Sequence, residues 1–147
     1  MNPKPKTYQS ATQSCDWPIQ QLPGLSDRDC SNLQELGINT TKQLLQKAST
    51  SQSKQVLANQ LQITPQYVKK WVALADLARI PGIGCEYCGL VLHAGVCSCL
   101  QLAQTPAHRL HQQILRLQVA TMQRRDLCPQ VEAVAAWIKQ ARELVRG

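Results

Sequence analysis

The sequence predicts an all-α protein made of two copies of one helical unit, and three observations support this prediction. No segment alternates apolar and polar residues over the length of a strand, and the Asn-Gly and Asp-Gly pairs typical of tight β-hairpins are absent. Apolar residues recur instead at helical spacing, between residues that commonly begin or end helices. A set of matching residues also repeats at a constant offset of 58 positions, which indicates that one structural unit was duplicated.

The repeated residues form a short pattern of proline, glycine, cysteine and apolar side chains. The first copy comprises Leu22-Pro23-Gly24-Leu25-Ser26, Cys30, Leu36-Gly37-Ile38 and Thr40. The second copy comprises Ile80-Pro81-Gly82-Ile83-Gly84, Cys88, Ala94-Gly95-Val96 and Ser98. Proline ends a helix and glycine allows a tight turn, so each copy predicts a bend between two helices, with Gly82 providing the turn in the second.

Length and composition are consistent with one domain or two small fused ones. The chain has 147 residues, of which 44% are apolar, and this is enough to form a core. No apolar run approaches the roughly 20 residues that cross a bilayer, and no apolar stretch follows the basic N-terminus as it would in a signal peptide. We therefore expect a cytoplasmic protein, in which the seven cysteines are reduced.

The first unit is predicted to span residues 17–79, after a polar tail, residues 1–16, that we expect to be disordered. Ser26 is expected to cap a helix that runs to about Leu36, with its leucines facing inward. Gly37 follows directly, and a glycine at this position predicts a left-handed turn that ends the helix.

Three more helices are predicted in the first unit. Thr40 is expected to cap a short helix, and another helix follows over roughly 52–61. Thr64 and Pro65 form a cap followed by a proline at the first helical position, which predicts the start of a long helix.

The second unit, residues 80–147, is predicted to repeat this order of helices. Its elements are a helix over 84–94 that ends at Gly95, a short helix that begins at Ser98, and longer helices that begin at Thr105-Pro106 and at Cys128-Pro129.

The bend Ile80–Gly84 has an apolar-Pro-Gly-apolar-Gly pattern that resembles the helix-hairpin-helix motif, and Leu22–Ser26 matches it except for its last residue. The wider pattern, which ends in 36–40 and 94–98, resembles the tandem helix-hairpin-helix proteins that are common in cyanobacteria and catalogued as a domain of unknown function. The resemblance covers about residues 17–146 and implies two helix-hairpin-helix units packed as one compact helical domain. In the helix-hairpin-helix family, the hairpin holds the nucleic-acid backbone without reading its sequence.

These features favour a non-catalytic module that binds the backbone of nucleic acid, DNA in the first place, without sequence preference. The start of a helix leaves N–H groups free and favours anions, so phosphate is expected to accept backbone N–H groups from Gly82, Ile83, Gly84 and Cys85. No acidic residue lies between positions 87 and 125, and the net charge is +7. Positive charge for the phosphates is expected from five arginines: Arg79, Arg109, Arg116, Arg124 and Arg125.

Acidic residues near the bends keep an alternative function open. Asp27 and Asp29 lie in the first helical turn after the first bend, where an anion would have to bind, and we therefore interpret that bend as structural. Glu86 occupies a similar place after the second bend. A degenerate helix-hairpin-helix scaffold that serves as a protein–protein interaction adaptor is the alternative.

Four cysteines within fifteen residues, Cys85, Cys88, Cys97 and Cys99, have in isolation the chemistry of a zinc site. The first copy builds the same unit without four thiols, so we expect no metal and no other cofactor. A redox thiol at Cys85, at the start of a helix, is a further alternative. The sequence shows no combination of nucleophile, base and acid, no phosphate-binding loop and no dinucleotide-binding loop, and we therefore do not expect an enzyme.

Overall fold

Helices form nearly all of the regular structure, as the sequence predicts. The structure is a computed structural model, and it describes residues 12–121 and 129–146. Within those two ranges there are eight α-helices, one short 3₁₀ helix and no β-strand, which confirms the all-α fold. The 3₁₀ helix is Ile19–Gln21, and the α-helices are α1 (Asp27–Glu35), α2 (Thr41–Lys47), α3 (Ser51–Leu61), α4 (Pro65–Ala78), α5 (Gly84–His93), α6 (Cys99–Ala103), α7 (Ala107–Thr121) and α8 (Val131–Arg146). None of these described helices combines the length and the apolar character needed to cross a membrane.

Serine and threonine caps, and glycines in the left-handed backbone conformation, set helix boundaries where the sequence predicts them. Ser26, Thr40 and Ser98 each accept the backbone N–H of the third helical residue, at 3.1, 3.2 and 3.0 Å, at the starts of α1, α2 and α6. Gly37 and Gly95 follow α1 and α5 with φ of +84° and +105°, a conformation that ends a helix. Thr40 and Ser98, and likewise Gly37 and Gly95, are 58 positions apart and play the same part in both halves, whereas the counterpart of Ser26 is Gly84, which supplies no cap.

Both threonine-proline pairs precede helices, but only Thr64-Pro65 has the predicted register, and there the threonine hydroxyl makes no cap. Helix α7 begins at Ala107, so Pro106 lies at its N-cap position instead of its first helical position. Thr64 occupies the N-cap position of α4, and its carbonyl oxygen, rather than its hydroxyl, accepts the N–H of Tyr67 at 3.1 Å. Pro65 supplies the fixed φ of the first helical position. The hydroxyl of Thr105 donates instead to the carbonyl of Gln101 at 2.8 Å, so its proton is directed back toward α6.

The long helix α4 lies at the centre of the core and packs against helices from both predicted units. Trp71 and Leu74 on α4 are buried, and the helix contacts α2, α3 and α5. In the second half, α8 carries the buried Trp137 and packs against α6 and α7. Leu36, which was expected to face inward, is 37% exposed because it follows the end of α1 instead of sharing the helix face of the buried Leu33. The boundary between the two units at residues 79 and 80 stays a prediction, because α4 packs against helices from both units.

An irregular N-terminal segment, residues 12–17, packs across the end of α4. The backbone N–H of Cys15 donates to the carbonyl of Arg79 at 2.8 Å, and the indole N–H of Trp17 donates to the carbonyl of Ala78 at 2.7 Å. The packed chain therefore begins before Trp17, within the predicted tail. Residues 1–11, the remainder of that tail, lie outside the described residues.

Candidate nucleic-acid interface

The N–H groups of the second bend, Ile80–Gly84, already have acceptors within the protein. The carbonyl of Ile80 accepts the N–H groups of Ile83 and Gly84 at 2.9 and 3.0 Å. The N–H of Gly82 donates to the side-chain oxygen Oε1 of Gln140, on α8, at 2.8 Å. The prediction that Gly82, Ile83 and Gly84 offer free N–H groups to phosphate is therefore wrong, because the turn itself and a glutamine side chain use them.

Gly82 and Gly84 are glycines for different reasons, and only one of these concerns backbone conformation. A Cβ atom on Gly82 would lie 2.6 Å from Cδ1 of Trp137 and 2.9 Å from Oε1 of Gln140, so the missing side chain lets α8 approach the bend. The positive φ, +55°, occurs at Gly84 and not at Gly82, which the sequence predicts to provide the tight turn. A Cβ atom on Gly84 would lie 3.2 Å from the indole ring of Trp17. The second bend is thus enclosed by side chains from both ends of the chain.

Cys85 is the fourth residue that was expected to donate its N–H to phosphate. The N–H groups of Gly84 and Tyr87 donate to the carbonyls of Ile80 and Ile83 in the bend. In the first turn of α5, the N–H groups that could still donate to an anion are therefore those of Cys85 and Glu86. Cys85 is half-buried, and Glu86 places an exposed carboxylate in the same turn. That carboxylate interacts favourably with the start of the helix and repels a second anion. The second bend is therefore a structural junction between α4, α5 and α8.

The first bend is occupied by its own capping residues. The hydroxyl of Ser26 accepts the N–H of Asp29, and the carboxylate of Asp29 accepts the N–H of Ser26, both at 3.1 Å. This reciprocal pair is a capping box, which uses two N–H groups at the start of α1 and places the Asp29 carboxylate where an anion would bind. Gly24 supplies the positive φ of this bend, +85°. The geometry supports the structural interpretation of the first bend.

Arg79, which was expected to bind phosphate, belongs to the connection between α4 and α6. Its Nε donates to Oδ1 of Asp76 at 2.8 Å, and this is the one ion pair among the residues that the structure describes. The other carboxylate oxygen of Asp76, Oδ2, accepts the backbone N–H of Cys99 at 2.8 Å, at the first residue of α6. The charge of Arg79 is therefore already balanced, which makes it a weaker ligand for an external anion than an unpaired arginine.

The arginines of α7 have the exposure that an interface with phosphate requires. Arg109 and Arg116 are both exposed, and no carboxylate of a described residue lies within ion-pair distance of either. Leu110 and Ile114, between them in sequence, are fully buried and hold the opposite side of α7 in the core. The other two predicted arginines, 124 and 125, lie outside the described residues.

The chain carries a second group of cations that the predicted site residues do not include. Positions 36–75 contain no Asp or Glu but five lysines: Lys42, Lys47, Lys54, Lys69 and Lys70. Lys54 on α3 and Lys69 on α4 line one groove, so the fold brings together two cations that are distant in sequence. The sequence does contain a signal for these lysines, because positions 36–75 lack acidic residues just as positions 87–125 do.

The four clustered cysteines have different surroundings. The thiol of Cys88 donates to the carbonyl of Cys85 at 3.8 Å, the thiol of Cys99 donates to the carbonyl of Ala141 at 3.7 Å, and Cys97 is exposed. Burial raises the pKa of Cys85 from 9.0 to about 11 and that of Cys88 to about 12, so both thiols are protonated at neutral pH. Protonated thiols are poor nucleophiles and poor metal ligands. Within the described parts of the chain, no three His, Cys, Asp or Glu side chains are placed to hold a metal ion.

The fold and the site define a small all-α protein with two Pro-Gly bends, both closed by the protein's own groups, and with exposed arginines that have no described acidic partner. The chain belongs to the family described as "Domain of unknown function (DUF4332)", whose family model matches residues 23–144. This match confirms the predicted membership of a family catalogued as a domain of unknown function. No curated protein and no solved structure matches the chain significantly.

Proposed function

We propose that the protein is a non-catalytic module that binds the backbone of nucleic acid without sequence preference. The observation that supports this proposal is the exposed pair Arg109 and Arg116 on α7, without described acidic partners, in a chain of net charge +7. The proposal differs from the helix-hairpin-helix expectation in the atoms that make contact. Arginine side chains bind the phosphates, while the N–H groups of the bends hold the fold together.

The spacing of the two arginines suits a phosphate backbone. Arg109 and Arg116 are separated by about two helical turns, or roughly 10.5 Å along the axis of α7. Two full turns also place both guanidinium groups on the same face of α7, so both can reach one nucleic acid. Guanidinium groups bind phosphate oxygens with two parallel hydrogen bonds, and such contacts carry no sequence information. An α7 that lies along one strand can therefore contact two of its phosphates.

Salt dependence of nucleic-acid binding tests this interface. Binding of duplex DNA and of an RNA hairpin, each in two unrelated sequences, is measured by fluorescence anisotropy. Two phosphate contacts predict that affinity falls about tenfold between roughly 50 and 200 mM salt. In the R109E/R116E variant, we expect binding at least about tenfold weaker, or about 1.4 kcal/mol, with a shallower salt slope.

A matched control separates these contacts from the effect of net charge. Arg28 on α1 and Lys139 on α8 are exposed, and R28E/K139E changes the net charge by the same amount as R109E/R116E. The control variant should keep the wild-type salt slope. Equal affinities and equal slopes for the two variants would show that α7 is not the binding face.

A protein–protein interaction adaptor on the same scaffold is the second candidate function. The observation that favours it is the closure of both bends, because a bend that holds helices together has no need of phosphate. Large apolar side chains are also exposed, among them Leu100 at 55% and Tyr67 at 56%. Failure of the wild-type protein to bind either nucleic acid at about 50 mM salt, together with co-purification of one specific protein, would favour the adaptor. The cytoplasmic location stays a prediction under both functions.

A further inference from the structure

A groove of about 500 Å³ lies between α2, α3, α4 and the loop before α6. Four aliphatic residues and two lysines line most of it: Leu45, Ala48, Val72, Ala73, Lys54 and Lys69. We name it the lysine groove. Its aliphatic residues are half-buried, apart from the buried Ala48, so apolar surface stays accessible along the groove.

The lysine groove is positively charged. No carboxylate of a described residue lies within ion-pair distance of Lys54 or Lys69. Asp76 also lines the groove, but its two carboxylate oxygens are already bonded to Arg79 and to the N–H of Cys99. Two unpaired ammonium groups therefore face an aliphatic surface whose one carboxylate is neutralised.

We propose that the lysine groove docks an acidic, amphipathic segment of another protein. Apolar side chains of that segment lie on the aliphatic residues, and its carboxylates pair with Lys54 and Lys69. Charge complementarity argues for an acidic partner, and an aliphatic groove of this kind accepts the apolar face of a helix. Lysine is a point charge on a flexible stem, so it pairs with carboxylates in a range of positions. This inference goes beyond nucleic-acid binding and uses none of the residues assigned to it.

The lining of the groove suits a peptide better than a nucleic acid. The described residues that line it include no aromatic ring on which a base could stack. Its lysines and serines can donate to a phosphate, but its aliphatic residues cannot, and a phosphate placed against them would lose hydration without compensation. The same residues provide favourable burial for leucine-like side chains.

The test uses a fluorescein-labelled peptide of about 12 residues, with leucines spaced along one helix face and glutamates elsewhere. A peptide with lysine in place of each glutamate and a single-stranded DNA of about 12 nucleotides serve as comparison probes. Anisotropy is measured at about 50 mM salt, where exposed charges are weakly screened. We expect the acidic peptide to bind the wild-type protein and the basic peptide not to bind.

Two variants examine the two parts of the groove. The K54E/K69E variant should bind the acidic peptide at least about tenfold more weakly, while R28E/K139E, with the same change in net charge, should lose less than about twofold. Val72→Thr keeps the shape of the side chain but replaces one methyl group with a hydroxyl, and should weaken binding several-fold without altering charge. Circular dichroism melting curves establish that each variant is folded.

Three outcomes would overturn the proposal. The acidic peptide does not bind the wild-type protein, or it binds K54E/K69E as tightly as R28E/K139E. In the third outcome, single-stranded DNA is the probe whose binding depends on Lys54 and Lys69, which would assign the groove to nucleic acid. Each outcome is distinct from a failure of the proposed function, which is measured with R109E/R116E and duplex DNA or hairpin RNA.

Discussion

Replacing Gly82 with alanine is expected to destabilise the protein, because α8 occupies the space of the new side chain. The added Cβ would lie 2.6 Å from Cδ1 of Trp137, whereas carbon atoms in favourable contact are about 3.5–4.0 Å apart. Trp137 is only 2% exposed, so it can withdraw only by displacing other packed side chains. Oε1 of Gln140, at 2.9 Å, can rotate away, but only by giving up the N–H of Gly82.

The magnitude follows from these contacts. Overpacking of a buried site costs about 1–3 kcal/mol, and loss of the Gly82–Gln140 hydrogen bond costs about 0.5–1.5 kcal/mol. Alanine also restricts the unfolded chain, which offsets about 0.4–1 kcal/mol. These ranges combine to about 0.5–4 kcal/mol, and their centre gives a net loss for Gly82→Ala of about 2–3 kcal/mol. For a chain of this length, that corresponds to a Tm lowered by roughly 4–12 °C.

Thermal and urea unfolding, followed by circular dichroism, measure this loss. Gly89→Ala is the matched control, because Gly89 lies within α5 and its Cβ would lie 3.6 Å from Cγ of Pro23, an ordinary contact. Alanine is favoured over glycine in a helix by about 0.8–1.0 kcal/mol, so Gly89→Ala should raise the Tm slightly. If Gly82→Ala unfolds at the same temperature as the wild-type protein, α8 does not pack against the bend as described.

Four further predictions concern the second bend and the cysteines that follow it in the sequence. Gln140→Leu leaves the partly buried N–H of Gly82 without its acceptor and should cost about 1 kcal/mol in urea unfolding, whereas Gln140→Glu should retain most of the stability. Trp17→Phe removes the indole N–H that bonds to the end of α4 and should cost about 1 kcal/mol, with a wild-type stability contradicting that bond. In the native protein, iodoacetamide should modify the exposed Cys97 well before the buried Cys88, as mass spectrometry of digests would show. Because burial raises the pKa of Cys88 from 9.0 to about 12, only the unfolded chain loses this thiol proton just above pH 9. Stability should therefore fall as the pH rises from about 9 toward 12, less steeply in Cys88→Ala, and equal slopes would refute this assignment.

The helices could be predicted because their boundaries depend on local signals. Ser26 and Thr40 cap the helices that follow them, and Gly37 ends a helix through its own φ. Each of these effects involves residues within one helical turn, so the sequence contains all that is needed. Leu36 was misplaced for a related reason, since a difference of one residue at a helix end moves a side chain from the core to the surface.

The closure of the second bend could not be predicted from the sequence. The acceptor for the N–H of Gly82 is Gln140, which is 58 positions away, and nothing near either residue indicates that they meet. Trp17 reaches the bend from the other end of the chain and bonds to Ala78, 61 positions away. A Pro-Gly-Ile-Gly sequence is therefore compatible with an open anion site and with a closed junction, and only the tertiary packing decides between them.

The exposed cations could be predicted from the sequence only in part. The positive charge and exposure of Arg109 and Arg116 could be inferred from their spacing and from the lack of nearby acids. The pairing of Arg79 with Asp76 is also local, at three positions, and could have been recognised in the sequence. The meeting of Lys54 and Lys69 in one groove requires the packing of α3 against α4.

The placement of the tryptophans gives the molecule an intrinsic optical probe of its central junction. Two of its three tryptophans, Trp17 and Trp137, touch the two glycines of the second bend, and the third, Trp71, is buried in α4. Ultraviolet emission excited at the indole band therefore reports mainly on this junction and its neighbours. A red shift of that emission at low denaturant, before the circular dichroism signal of the helices is lost, would show that the N-terminal segment, residues 12–17, dissociates from the bend in a separate step.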